Sequence, residues 1–323
     1  MYTRSASYNV FIDKVVSSIV NDDRDDIECL RENNKENFES IEVLNLSYKN
    51  IDCVPVDYLH YFPKLKRLIL SYNDIEVINK GDFNNLIYLE ELNLSDNKIG
   101  CIHGGAFGGL KNLNLLWLQR NNIGDVDEDA LEGLEALTDI YIGSNNLENV
   151  PREAFSKTPL LKYANITNNK IEIIYAGDFE NVRELEYLYL SGNEIGNIED
   201  GSFGHIPNLI KLVLDKNNIS EIPNLDGLGN LEFLELSKNS IECIDENIFL
   251  NLDSLKAIYI RDNCFLSIDP GQFRYAKNLN NLHVSENNLE DAVPTANFSI
   301  TAWDSTWANN FSFVDVDEKL NFI

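Results

Sequence analysis

The feature that most constrains this chain is an internal repeat with a period of 24 residues. Each copy follows the pattern LxxLxLxxNxIxxIxxxxFxxLxx, and only the eighth interval is shorter, at 22 residues. Self-similarity at such a period predicts a solenoid, in which each repeat is one structural unit stacked on the next. The eleven copies begin at Ile41, Leu65, Leu89, Leu113, Leu137, Leu161, Leu185, Leu209, Leu231, Leu255 and Leu279.

Each copy is predicted to start with a short strand, because apolar residues at the fourth and sixth positions alternate with polar neighbours. Stacked copies then form a parallel sheet with strands about 4.8 Å apart. No repeat can bury its apolar face alone, so stacking makes the core continuous. The nineteenth position supplies a second apolar column on the far side of that core: Leu59, Phe83, Phe107, Leu131, Phe155, Phe179, Phe203, Phe249 and Phe273.

The ninth position is asparagine in ten of the copies. Because a buried amide needs hydrogen-bond partners, we expect these side chains to bond the backbone of the turn after each strand. Lys49 replaces asparagine in the first copy, which is typical of an end repeat. The predicted ladder comprises Asn73, Asn97, Asn121, Asn145, Asn169, Asn193, Asn217, Asn239, Asn263 and Asn287.

These residues resemble the typical 24-residue class of leucine-rich repeat proteins, over about 41–300. The resemblance implies an α/β solenoid, a horseshoe with a parallel β-sheet on its concave face and a mostly irregular or short-helical convex side. It also implies a recognition role, often extracellular, in adhesion, receptor and innate-immune proteins. In general features the chain is similar to insect secreted repeat proteins, including the mosquito leucine-rich immune group.

The two ends are predicted to cap the solenoid, because terminal repeats would otherwise expose core. Residues 1–40 are assigned to an N-terminal cap, 41–300 to the eleven repeats and 301–323 to a C-terminal cap or tail. The family's usual four-cysteine cap is absent, which leaves a truncated ectodomain or a different cap as alternatives. The aromatic C-terminal end either closes the core or docks a second copy or another protein; its residues are Trp303, Trp307, Phe311, Phe313 and Phe322.

Composition excludes several classes of partner. The net charge of −27 argues against nucleic acid and against anionic membranes, both of which attract lysine and arginine. No stretch approaches the roughly 18 consecutive apolar residues that would span a bilayer. Asp13 and Lys14 interrupt the apolar residues near the start, so that segment is no signal-peptide core. Either the protein stays inside the cell or a leader has been removed.

Five cysteines cannot all pair within the chain. Cys53 and Cys101 take the same position two repeats apart, about 10 Å, which exceeds the reach of a disulfide. Cys29 with Cys53 is the plausible bridge, since it would tie the N-terminal cap to the first repeat. Cys243 and Cys264 lie in adjacent repeats at different positions, which disfavours a bridge between them.

Asn-x-Ser/Thr triplets provide candidate glycosylation sites. Those at the fifth strand position arise within the repeat consensus, so chance explains them almost as well as selection does. The others carry more weight for a secreted glycoprotein. The six candidates are Asn45, Asn93, Asn165, Asn218, Asn297 and Asn310.

The third and fifth strand positions are predicted to point away from the core, onto the concave sheet, and in the middle repeats half of them are aromatic. Such a cluster either binds a partner or merely stabilises the sheet by cross-strand contacts. We predict a partner-binding patch of Leu115, Trp117, Tyr141, Tyr163, Tyr187, Tyr189, Val213, Phe233 and Tyr259.

Charge supports that prediction. The second, third, fifth, seventh and eighth positions of the strands hold nine basic and eleven acidic residues, a balance of −2 out of −27. A nearly neutral aromatic floor inside an acidic shell suits one selective protein contact.

The sequence predicts no enzyme, no cofactor and no metal site. The four histidines lie far apart along a solenoid, Cys-x-x-Cys and His-x-x-x-His pairs are missing, and no serine or cysteine is expected to have an activating base. The leading interpretation is therefore an extracellular module that binds a protein through its concave face. The alternative is an intracellular scaffold of the same fold.

Overall fold

The structure, a computed structural model, describes residues 39–245, 247–266, 270–284, 287 and 298–299. These residues divide into two compact units. Unit 1 comprises the described residues up to Asn146 together with Glu153–Leu160, and unit 2 comprises Leu147–Arg152 and the described residues from Leu161 onward. The three-part division predicted above stays a prediction, because most of both caps lies outside the described residues.

Unit 1 is built on five parallel strands, one per repeat, paired in the order β1-β2-β4-β6-β8. Partners lie 24 residues apart, as in Leu44 with Leu68, so the register of the sheet is the period of the sequence. Three two-residue strands form a second parallel sheet in the order β3-β5-β7. The strands are β1 Val43–Asn45, β2 Arg67–Ile69, β3 Val77–Ile78, β4 Glu91–Asn93, β5 Cys101–Ile102, β6 Leu115–Trp117, β7 Asp125–Val126 and β8 Asp139–Tyr141.

Unit 2 repeats this plan with six parallel strands in the order β9-β11-β13-β14-β15-β16, and β17 closes them by antiparallel pairing with β16. The shortened repeat keeps the register, since Lys211 pairs with Phe233. A small parallel sheet pairs β10 with β12. The strands are β9 Tyr163–Asn165, β10 Ile173–Ile174, β11 Tyr187–Tyr189, β12 Asn197–Ile198, β13 Lys211–Val213, β14 Phe233–Glu235, β15 Ala257–Tyr259, β16 Asn281–His283 and β17 Phe298–Ser299.

Helix is scarce in the described residues. Helix α1 is Val56–Leu59, helix α2 is Arg152–Phe155, and a 3₁₀ helix covers Pro270–Phe273. The parallel strands and the short helical turns between them confirm the predicted leucine-rich repeat solenoid.

The core lies between the strands and the turns that return the chain to the next repeat. Side chains at the fourth and sixth strand positions are buried, for example Leu92 and Leu94 in unit 1 and Leu188 and Leu190 in unit 2. The predicted phenylalanine column is buried as well. Its rings stack from repeat to repeat, at centroid distances of 6.0 Å for Phe83–Phe107, 6.1 Å for Phe179–Phe203 and 5.5 Å for Phe249–Phe273.

The asparagine ladder is confirmed. In unit 1, Asn121 Nδ2 donates to the carbonyl oxygens of Leu118 and of Leu94, at 2.9 and 3.0 Å, so one amide joins two repeats. Its Oδ1 accepts the backbone N–H of Ile99 at 3.0 Å. Asn193 repeats this arrangement in unit 2 with Leu190, Ile166 and Ile171. The ladder thus satisfies backbone groups that no sheet reaches.

From Asn73 to Asn263, the residue before each ladder asparagine adopts a left-handed backbone conformation. Arg120 has a φ of 55° and Lys216 the same value, and Gly192 takes this place with a φ of 67°. A Cβ on Gly192 would meet Asn168 Oδ1 at 2.3 Å, so a larger residue there would require the Asn168 side chain to move. Side-chain residues in this region carry a cost of about 1 kcal/mol each, which the ladder bonds offset.

Candidate functional site

The strand face, as we call the side chains at the third and fifth strand positions, points away from the core in both units. In unit 1 its aromatic part consists of Trp117 and Tyr141, whose rings stack at 6.2 Å, with Leu115 beside them. All three are half-buried. The structure therefore places these predicted residues together on β6 and β8.

The strand face of unit 2 carries a larger aromatic cluster. Tyr163 lies 5.1 Å from Tyr189 and 6.1 Å from Tyr187, measured between ring centroids. Phe233 and Tyr259 lie 4.9 Å apart on the next strands. The parallel register brings these residues side by side, because each strand offers the same two positions to its neighbours.

Val213 is more buried than was predicted for a residue that contacts a partner. Only 7% of this residue is exposed, because it lies between the residues of β11 and β14 at the same level of the sheet. It therefore offers little surface to a partner. The single patch predicted across both units stays a prediction; within each unit the named residues do adjoin one another.

Lys211 occupies the centre of the unit 2 cluster. Its Nζ lies 4.5 Å from the ring centroid of Phe233 and 5.3 Å from that of Tyr189, within the range of cation–π attraction. It makes no ion pair with a described residue. Burial lowers the pKa of this ammonium group, and the nearby Glu235 carboxylate acts in the opposite direction.

Glu235 is a half-buried carboxylate on the same face. Its pKa is raised to about 7, chiefly because burial disfavours the charged form, and Asp215 adds to the rise. Hydrogen bonds from Ser237 and the charge of Arg261 act against it. The backbone N–H of Ser237 donates to Glu235 Oε1 at 2.9 Å. Near neutral pH the protonated and the charged form of this carboxyl group are therefore both populated.

A stacked pair borders that carboxylate on the side of β16. Tyr259 and His283 lie parallel, with centroids 4.2 Å apart. Arg261 Nη2 donates to His283 Nδ1 at 2.6 Å, which requires that this ring nitrogen carry no proton. Burial and then the Glu235 charge raise the pKa of Tyr259. The guanidinium group is thus directed at the histidine.

The predicted patch does not include Lys211, Glu235, Arg261 and His283. A signal was present for Glu235, since it is the only acidic residue at the fifth position in the eleven copies. Its environment depends on three adjacent strands, and composition does not reveal that.

Four glycosylation candidates lie in the described residues, and two, Asn297 and Asn310, lie outside them. Oδ1 of Asn93 accepts both the backbone N–H and the hydroxyl of Ser95, at 2.9 and 2.7 Å. Asn45 and Asn165 make the same pair of bonds with Ser47 and Thr167. Asn218 is exposed and donates to the carbonyl oxygen of Glu194.

Three cysteines in the described residues, Cys101, Cys243 and Cys264, are free thiols. The missing Cys243–Cys264 bridge agrees with the sequence analysis. The Cys29–Cys53 disulfide stays a prediction, because Cys29 lies outside the described residues.

A histidine lies beside one of these thiols, although no such neighbour was expected. Cys101 Sγ lies 3.2 Å from His103 Nε2, and His103 Nδ1 lies 3.5 Å from Asp127 Oδ2. The spacing Cys-x-His was the overlooked signal, because a turn after β5 folds the histidine back onto the thiol. Burial and the carboxylates of Asp127 and Asp125 raise the pKa of Cys101, so the thiol stays protonated and is a poor nucleophile.

Unit 2 also contains an acidic cavity of about 360 Å³ among the turns that follow its strands. It lies beside the shortened repeat, and its carboxylates are Asp200, Glu221, Asp226 and Asp245. Within the described part of the chain, no three His, Cys, Asp or Glu residues are arranged to hold a metal ion.

The chain belongs to the leucine rich repeat family, whose pattern matches residues 39–99, 87–147, 136–195, 183–241 and 230–289. No curated protein sequence matches it significantly. The narrower similarity to the mosquito immune group stays a prediction. Across the described ranges, no helix has the length and apolar character needed to cross a membrane.

Several solved structures share the fold. A chain of the octameric complex of Latrophilin 3, Unc5D and FLRT2, in which FLRT2 contributes leucine-rich repeats, is 26% identical, with a TM-score of 0.68, over 77% of this chain and 76% of that one. TLR13 in complex with ssRNA13 is 25% identical, with a TM-score of 0.59, over 79% of this chain and 45% of that one. The plant peptide hormone receptor RGFR1 in complex with RGF2 is 26% identical, with a TM-score of 0.58, over 72% and 38%. This chain thus spans less than half of the two receptor chains.

The solved structures that share this fold therefore include receptors and protein-binding modules, and nothing in the comparisons points to catalysis.

Proposed function

We propose that this chain is a non-enzymatic recognition module that binds a protein partner through its strand face, in the extracellular space. The observation that carries the proposal is the half-buried aromatic cluster of unit 2. Tyrosine and phenylalanine gain much from contact with a partner, and here they lie on a rigid sheet, so little conformational entropy is lost on binding.

The comparisons support a protein partner. RGFR1 is in complex with RGF2, and FLRT2 assembles with Unc5D and Latrophilin 3. TLR13 is in complex with a single-stranded RNA, but the net charge of −27 here disfavours a polyanion. An innate-immune, adhesion or receptor role would follow from such binding, and the C-terminal end remains a proposed surface for a homo- or hetero-dimer.

Affinity capture with matched variants tests this function. The wild-type chain, Tyr189→Ala and Tyr175→Ala are immobilised and exposed to extracellular fluid and to cytosol of the source organism. Tyr175 is an exposed tyrosine of unit 2 that lies off the strand face, so it controls for general stickiness. A protein retained by the wild type and by Tyr175→Ala, but lost with Tyr189→Ala, is the expected result.

Calorimetry with the purified candidate then measures the effect. Loss of a central tyrosine contact should weaken binding by about 2 kcal/mol, or roughly 30-fold. Equal affinities for the two variants would contradict recognition through the strand face.

The free thiols of Cys101, Cys243 and Cys264 favour a second candidate, an intracellular scaffold of the same fold. Expression in a secretory host separates the two. A mobility shift on glycosidase treatment supports the secreted glycoprotein, with Asn45, Asn93, Asn165, Asn218, Asn297 and Asn310 as candidate sites. Secretion without sugars and with five reactive thiols would favour the scaffold.

A further inference from the structure

Glu235 stands out on the strand face of unit 2 because, among the described residues, it has no ion-pair partner. Other carboxylates of these strands do: Glu186 lies 2.8 Å from Lys162, and Glu232 lies 2.7 Å from Lys256. Glu235 makes no ion pair with any residue in the part of the chain that the structure describes.

The surroundings of Glu235 make its charge costly. The sheet register places Val213 on one side and Tyr259 on the other, so its strand neighbours at this level are a buried aliphatic residue and an aromatic ring. The hydrogen bond from Ser237 satisfies part of the carboxylate. A partly buried carboxylate in such a place gains from a cation that reaches it.

The cations nearby are directed elsewhere. Lys211 Nζ lies over the rings of Phe233 and Tyr189, and Arg261 donates to His283. Asp215, which follows β13, adds a second negative charge near Glu235 and pairs with Lys216 only at 3.6 Å. The Glu235 carboxylate therefore remains available to a cationic group of another molecule.

We propose that Glu235, between Val213 and Tyr259, is a subsite for an arginine side chain of the protein partner; this inference rests on the proposed function of the strand face. A guanidinium group offers two parallel donors to a carboxylate and is weakly hydrated, so it suits a partly desolvated site better than ammonium does. Its flat faces also pack against an aromatic ring such as that of Tyr259. The charge of −27 on the chain attracts a basic partner surface.

The subsite is sensitive to pH, because a protonated carboxyl group loses its attraction for the guanidinium. The charged and titratable groups around it are Lys211 and Asp215 from the β13 repeat, Tyr259 and Arg261 from the β15 repeat, and His283 on β16. With the Glu235 pKa at about 7, binding should be about tenfold stronger at pH 8 than at pH 6.

The test follows the titration of Glu235 itself, so it needs no identified partner. The full chain is labelled with ¹³C-glutamate, and the side-chain carboxyl resonance of Glu235 is assigned by its loss in Glu235→Gln. Titrations in about 0.1 M ethylguanidinium chloride and in sodium chloride at equal ionic strength are compared. Circular dichroism confirms that the chain is folded in both salts.

The proposal predicts that ethylguanidinium lowers the titration midpoint of Glu235 by at least about 0.5 pH unit, a threefold change. Glu232, assigned with Glu232→Gln, is the matched control; it is already paired with Lys256 and should shift less. Tyr259→Leu keeps an apolar side chain beside Glu235 but removes the aromatic ring, and it should reduce the shift.

Equal midpoints in the two salts would overturn the subsite, and so would an equal shift at Glu232 or an undiminished shift in Tyr259→Leu. The outcome is separate from that of the capture experiment. A shift without any captured protein would reject the proposed function alone, whereas tyrosine-dependent capture without a shift would reject the subsite alone.

Discussion

The strand faces of the two units differ although their cores are alike. In unit 1, two charge pairs join neighbouring repeats: Arg67 pairs with Glu91 on the strand face, and beside that face Arg120 donates through Nη2 to Asp96 at 2.7 Å. In unit 2, Lys211 and Glu235 have no ion pair with a described residue. Lys211 lies over the rings of Phe233 and Tyr189, and Glu235 lies between Val213 and Tyr259. The core fixes only the fourth and sixth strand positions, so the face can vary without changing the fold.

The difference between the two faces indicates that a partner can be recognised where charges are not already paired within the chain. Paired charges on an exposed face are already satisfied and offer a partner little. Unpaired charges among aromatic rings leave binding energy to be gained, and unit 2 concentrates them.

The largest expected effect is on the shared core. Phe107→Ala in unit 1 and Phe203→Ala in unit 2 each remove a fully buried ring that stacks on its neighbour. Each should lower the free energy of unfolding by about 3–5 kcal/mol. Urea denaturation followed by circular dichroism measures this. A cost below about 1 kcal/mol in one unit would show that the two cores are not equivalent.

The asparagine ladder should come next. Asn121→Ala and Asn193→Ala leave carbonyl and N–H groups of two repeats without partners. We expect a loss of about 2–3 kcal/mol in each unit by the same denaturation assay. Asn218→Ala is the control, since that asparagine is exposed and outside the ladder, and it should change stability little. An equal loss in the control would contradict the ladder's role.

The pH dependence of stability should differ between the faces. The folded-state pKa of Glu235, about 7, lies above the ordinary value of 4.5, so the folded chain binds this proton more tightly than the unfolded chain does. Its contribution to stability is full below about pH 4.5 and is lost as pH rises toward 7, by roughly 2–3 kcal/mol. Chemical denaturation between pH 5 and 8 should show less of this decline in Glu235→Gln. If the stability of Glu235→Gln declines with pH as much as that of the wild type, the burial of this carboxylate is refuted.

The smallest effect belongs to the paired charges of unit 1. Arg120→Met should cost less than about 1 kcal/mol, because Asp96 and Arg120 form a pair at the surface that salt screens. Denaturation at low and high salt should show the cost shrinking with salt. A loss of several kcal/mol would mean that these pairs hold unit 1 together.

The repeat made most of the fold predictable. The period fixed the strand register, the buried fourth and sixth positions, the phenylalanine column and the asparagine ladder, because each follows from stacking identical units. The left-handed conformation before the ladder asparagines from Asn73 to Asn263 escaped prediction, since residues as different as Tyr72, Asp96 and Arg120 adopt it. The turn geometry requires it, and residue preference alone gives no sign of it.

The site was only partly predictable. Alternation showed that the aromatic residues share a face, and the structure brings Tyr163, Tyr187 and Tyr189 together as expected. The near-complete burial of Val213 and the raised pKa of Glu235 depend on side chains from adjacent strands. An environment made by side chains of three adjacent strands cannot be predicted from the sequence of a single repeat.

Hydroxyl-radical footprinting with the captured partner directly tests whether the strand face of unit 2 recognises that partner. Oxidation of individual tyrosines is measured by mass spectrometry in the free chain and in the complex. Recognition through the strand face of unit 2 predicts that Tyr187, Tyr189 and Tyr259 become protected while Tyr175, exposed but off that face, stays as reactive as before. Protection of Tyr175 with unchanged oxidation of the three strand-face tyrosines would contradict it.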